Sequence, residues 1–104
     1  MKVTFTGAGP TTSSSFAVTD PGSHWQQQAW TLYVSGTFGA AGSVQSQVSP
    51  DSRETTDASS RWFNLGAAVT AVTANPVSVN VRFRKIRFAL TGGDGTTSIV
   101  AEIV

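Results

Sequence analysis

The sequence predicts an all-β fold: a single-domain β-sandwich or jelly roll of short antiparallel strands. Three observations carry this. Apolar residues recur with a period of two and almost nowhere with a helical period. The alternating runs are short and are separated by clusters of Gly, Pro, Asp, Asn and Ser. The chain has 104 residues, enough for one core and too few for two. About seven to nine strands are expected at that spacing.

Taken in order, residues 2–6 place Val3 and Phe5 on one face of a first strand, and 15–19 place Phe16 and Val18 together. Residues 11–15, TTSSS, read as a flexible link. Asp20-Pro21-Gly22 is turn chemistry, and 24–30 after it suits either a short helix or a strand entry. Trp30, Leu32 and Val34 then face one side while Thr31, Tyr33 and Ser35 face the other. Val44 and Val48 mark a strand over 43–49, and further strands are expected at 61–65 and 68–73. Val77, Val79, Val81 and Phe83 share a face, but Ile86, Phe88 and Leu90 lie on a shifted phase. A period-2 strand cannot slip by one residue without a bulge or corner, so the chain bends between Arg84 and Lys85. Glycines at 92, 93 and 95 can supply positive φ. Strands 85–91 and 97–104 are therefore expected to pair as a hairpin. The expected core is Phe5, Trp30, Leu32, Val34, Val44, Val48, Phe63, Val79, Val81, Ile86, Phe88, Leu90, Ile99 and Ile103.

Charged residues make up 12% of the chain, against about 25% in ordinary soluble proteins. Surfaces rich in Ser and Thr and poor in charge suit strands that another molecule will cover. A net charge of +1 gives no field to attract nucleic acid or an anionic membrane. With no cysteine there are no disulfides, thiolate metal sites or thiol nucleophiles. The N-terminal residues show no apolar signal region, and no run approaches a membrane span.

Two segments concentrate charge. Residues 49–60, SPDSRETTDASS, hold half the acidic residues as Asp51, Glu54 and Asp57. They read as a long mobile loop, with Arg53 as the first target for proteolysis. Arg82, Arg84, Lys85 and Arg87 are four of the seven basic residues, gathered at the bend. Such a corner is either a solvated face, a guard against edge pairing or a docking surface that uses arginine forks. Docking is the reading adopted. The patch is too short, and too poor in exposed aromatics, for nucleic-acid binding. Tyr33 and Trp25 are the aromatics freest to contact a partner, whereas Trp30 and Trp62 read as core or interface.

Enzyme chemistry finds little footing. His24 is the only histidine, and no G-x-S-x-G elbow singles out a serine for it. It reads as a turn residue beside Trp25. The carboxylates are dispersed or share one loop, which is poor placement for acid–base work. Gly-Gly-Asp94-Gly lacks the remaining ligands of a calcium loop, and no P-loop lysine accompanies it. No catalytic residue, metal or cofactor is expected.

WTLYVSGTF at 30–38, GSVQSQVSPD at 42–51, Trp62 and KIRFALTGGDGTTSIVAEIV at 85–104 resemble the small β-sandwich virion proteins of tailed bacteriophages and prophages. The resemblance covers about two-thirds of the chain. It departs at 52–61, where a longer, more acidic loop replaces a tight hairpin. The resemblance implies no catalytic residues. It implies a virion component, most simply a capsid decoration (cement) protein on the outside of the assembled shell. Its partners would be the major capsid protein or other virion proteins, and further copies of itself in a homo-oligomer such as a trimer. A tail, fibre or head–tail connector part is the alternative. A carbohydrate-binding module using Tyr33, Trp25 or Trp62 is a third.

Overall fold

The computed structural model describes residues 2–17, 30–70, 77–79 and 83–103, with the backbone alone at 30 and 77–79. Nine strands are described: β1 (Lys2–Thr6), β2 (Thr11–Thr12), β3 (Phe16–Ala17), β4 (Trp30–Thr37), β5 (Ser43–Ser49), β6 (Phe63–Asn64), β7 (Val77–Val79), β8 (Lys85–Thr91) and β9 (Ser98–Ile103). A 3-10 turn, Asp57–Ser59, lies between β5 and β6. The strands form two antiparallel sheets. The first has the order β1-β9-β4-β7 and the second β2-β8-β5-β6, with β3 also pairing β8. The all-β sandwich expected from the alternation is the fold.

The inner faces follow the period-2 pattern. Register aligns Val3, Ala101 and Val34 in one row of the first sheet, and Val44 with Leu90 and Ser46 with Phe88 in the second. Phe5, Leu32, Val34, Val44, Val48, Ile86, Phe88, Leu90, Ile99 and Ile103 are all buried in one cluster, as expected. Val69 and Ala101 join them unforeseen. Val69 enters through a single bridge to Val44, and Ala101 is small but sits between two core positions of β9. Burying these side chains is the main source of stability, at about 1.5–3 kcal/mol for each large one. Trp30, Val79 and Val81 lie outside the described side chains.

Three expectations need correction. Phe63 is in register with Val48, so its face is the core face, yet it is 54% exposed. It sits on a two-residue strand that, among the described residues, pairs on one side only. The hairpin of 85–91 with 97–104 does not form. β8 pairs with β5, β2 and β3, and β9 with β1 and β4. The glycine segment instead carries the chain from one sheet to the other. Gly92 and Gly93 have positive φ, and a Cβ on Gly92 would meet the Ala41 carbonyl oxygen at 2.1 Å. Asp94 clamps this corner by accepting from the Ala40 N–H at 3.0 Å and the Thr96 N–H at 2.8 Å. Third, residues 11–15 are not a loose link. β2 and β3 are two pieces of one interrupted edge strand. Between them the Ser13 hydroxyl accepts from the Phe88 N–H at 3.0 Å, standing in for a ladder carbonyl.

The bend at 84–85 holds. β7 belongs to the first sheet and β8 to the second, so the phase slip marks the change of sheet. It has one further consequence. Ile86, Phe88 and Leu90 turn inward, and Lys85 and Arg87 turn to the outer face of the second sheet.

Candidate functional site

The outer face of the second sheet is assembled from rows of paired residues: Ser49 with Lys85, Gln47 with Arg87, and Gln45 with Ala89. Across one end of it lies the segment from Pro50 to Trp62. It takes in most of the acidic loop of 49–60 and is folded down against the sheet.

Lys85 is the anchor. Its side chain is only 2% exposed. The Nζ donates to the Thr55 carbonyl at 2.7 Å and to the Ser60 hydroxyl. It lies 3.6 Å from the Asp57 carboxylate and 5.5 Å from the Trp62 ring centroid. A buried ammonium is costly unless paired and hydrogen-bonded, and here the loop provides both. Asp57 in turn accepts from the Ser15 hydroxyl at 2.7 Å and the Ser15 N–H at 3.2 Å. The hydroxyl bond from Ser15, its backbone N–H and the Lys85 charge hold the Asp57 carboxyl below its ordinary pKa.

Arg87 lies over the indole of Trp62, 4.0 Å from guanidinium carbon to ring centroid, a cation–π contact. Its Nε donates to Gln47 Oε1 at 2.9 Å. The Trp62 Nε1–H donates to the Asp57 carbonyl at 2.9 Å, so the ring is held at one face and at its polar edge. The two ends of the loop are closed on each other by Asp51 and Arg61. Arg61 Nη2 donates to Asp51 Oδ1 at 2.8 Å, and the Arg61 N–H to Oδ2 at 2.6 Å. These bonds from Arg61 lower the Asp51 pKa to about 2 and raise that of Arg61.

The basic corner is therefore not one surface. Lys85 is buried and engaged within the chain, and Arg87 is half-buried against the face of Trp62. Arg84 is exposed, while its backbone N–H donates to the Ser49 carbonyl at 2.9 Å. Arg82 and Trp25 lie outside the described residues. Tyr33 is 47% exposed and stands in register with Glu102 on the outer face of the first sheet. The structure puts it on the opposite side of the sandwich from Lys85 and Arg87, so these residues do not converge.

The acidic loop, expected to be mobile, is closed on itself by Asp51 and Arg61 and bonded to the sandwich through Thr55, Asp57 and Ser60. Asp51, Asp57, Arg61, Trp62, Ser15 and Gln47 were missed as members of this cluster. One signal was present: a loop with three carboxylates and a window with four cations in a chain otherwise poor in charge. Among the described residues, no group of three or more His, Cys, Asp or Glu side chains is placed to hold a metal ion. No helix among them is long and apolar enough to cross a membrane.

No protein-family model matches the chain. No curated protein matches it, and no solved structure does.

Proposed function

We propose that the chain is a structural protein that works by attachment, namely a capsid decoration (cement) component on the outside of an assembled phage shell. One observation carries the non-enzymatic part. The carboxylates of Asp51, Asp57 and Asp94 each accept hydrogen bonds that fix a loop and favour the ionised form. Groups used in this way make poor general acids or bases near neutral pH. The attachment part draws on the resemblance in sequence and on a surface poor in charge, with the large side chains of Tyr33 and Phe63 exposed. A standard interface buries about 1,600 Å², and copies repeated by symmetry make weak contacts cumulative. The same sandwich would serve in a tail or connector.

Quantitative mass spectrometry of purified virions tests this reading. Abundance comparable to the major capsid protein is the expected result. A small minority of copies moves the protein to the tail, and its absence from particles ends the virion reading. The exposure of Tyr33 favours one second reading, a sugar platform. One face of Trp62 is already occupied by Arg87, which leaves Tyr33 as its main stacking surface. A glycan array with wild type and Tyr33→Ala tests it, and no signal removes it.

A further inference from the structure

The segment 50–62 lies across the second sheet as a strap, and its grip is polar. Its 3-10 turn buries no residue. The Asp51–Arg61 pair closes the strap on itself. The ties to the sandwich are hydrogen bonds and ion contacts through Asp57, Thr55 and Ser60, together with the Trp62 ring on Arg87. Beneath it, Ile86, Phe88 and Leu90 are fully buried on the other side of the same strand. Segments with few buried apolar contacts open while a core holds. Opening also returns the Lys85 ammonium to water, which offsets part of the bonds lost.

We propose that this strap opens as a unit on the folded sandwich and uncovers Lys85 and Arg87 as a cation pair for a carboxylate-bearing protein partner. In the closed state the strap supplies its own ligands to that pair. The Asp57 carboxylate lies 3.6 Å from the Lys85 Nζ, and the Trp62 ring covers the Arg87 guanidinium. Asp57 thus occupies the place a partner's carboxylate would take, and the contact is autoinhibitory. Arg84, exposed immediately before β8, remains available for first contact while the strap is closed. A carboxylate is favoured over a phosphate because the closed-state occupant is a carboxylate. A net charge of +1 also gives no long-range pull on nucleic acid. The choice of a protein partner rests on the attachment reading; the opening does not.

The chain has only two lysines, Lys2 and Lys85, and Lys2 is exposed. Acetylation with an amine-reactive ester, followed by mass spectrometry, therefore reads the opening with an internal reference. The expected result is a protection factor at Lys85 well below that of the β8 amides in hydrogen exchange. In Asp51→Asn/Asp57→Asn, Lys85 should react about tenfold faster or more, as when hydrogen bonds to a charged group are removed. Lys2 should be unchanged. If wild-type Lys85 is protected as strongly as the β8 amides, it is reached only by global unfolding, and the proposal is overturned whether or not the variant folds. In the second arm a short poly-aspartate peptide is added to the wild type. Slower acetylation at Lys85 alone supports the carboxylate partner. An equal effect at both lysines, or none, overturns that assignment. Neither arm uses virus particles, so failure here is separable from failure of capsid attachment.

Discussion

The two faces of β8 are held by opposite chemistries. On the inner face Ile86, Phe88 and Leu90 are buried among apolar side chains from both sheets. On the outer face Lys85 and Arg87 are covered by a strap of polar residues and one tryptophan. Apolar packing is non-directional and shared among many neighbours, so its loss is felt by the whole domain. The strap depends on a few directional bonds, each replaceable by water. One strand therefore carries both the most cooperative and the most separable part of the molecule.

Breaking the inner face should have the largest effect. Phe88→Ala is expected to cost about 3–5 kcal/mol of global stability. A urea unfolding midpoint equal to that of the wild type would contradict the core assignment. Next comes the corner that joins the sheets. Gly92→Ala combines a positive φ with a Cβ 2.1 Å from the Ala41 carbonyl oxygen, so a loss of at least about 1 kcal/mol is expected. An alanine variant as stable as wild type would mean that this corner relaxes freely.

A smaller effect, of opposite sign, sharpens the account of the interior. The Ser46 hydroxyl is buried in the row of Phe88 with no hydrogen-bond partner among the described residues. Ser46→Ala should therefore raise stability by about 1 kcal/mol. A destabilised variant would show that the hydroxyl is satisfied in solution.

The smallest effect is confined to the strap. Asp51 and Asp57 have folded-state pKa values below the ordinary 3.8. Their contribution is complete above that value and is lost as pH falls through the folded pKa, about 2 for Asp51. The Arg61 and Ser15 amide resonances report these carboxylates directly through their hydrogen bonds. Both should titrate with midpoints under 3.8, with core resonances still native. Midpoints at the ordinary value would mean that the strap's bonds do not form in solution.

Much of this was legible in the sequence. Alternation over 30–37, 43–49 and 85–91 assigns strand and inward face together, because successive side chains point to opposite sides. The slipped phase at Arg84–Lys85 marks the change of sheet for the same reason. The candidate site was legible only as two unlinked charge clusters, since nothing local says that Lys85 will meet Thr55 and Ser60 rather than solvent.

Period and turn chemistry are local properties, and the sequence by itself determined what they encode: an all-β chain, short strands, most of the core and the bend before β8. Tertiary structure alone decided what depends on partners far along the chain. The glycines at 92 and 93 allow a hairpin or a corner equally, and β9 lies in the first sheet because β1 and β4 pair with it there. Phe63 carries a core-face side chain but stays exposed because its strand is a short edge. Lys85 has the composition of a surface residue and is buried because the strap lies over it with a carboxylate, a carbonyl and a hydroxyl within reach. A charge can leave water only where other groups replace its hydration, and that placement exists only in the folded chain.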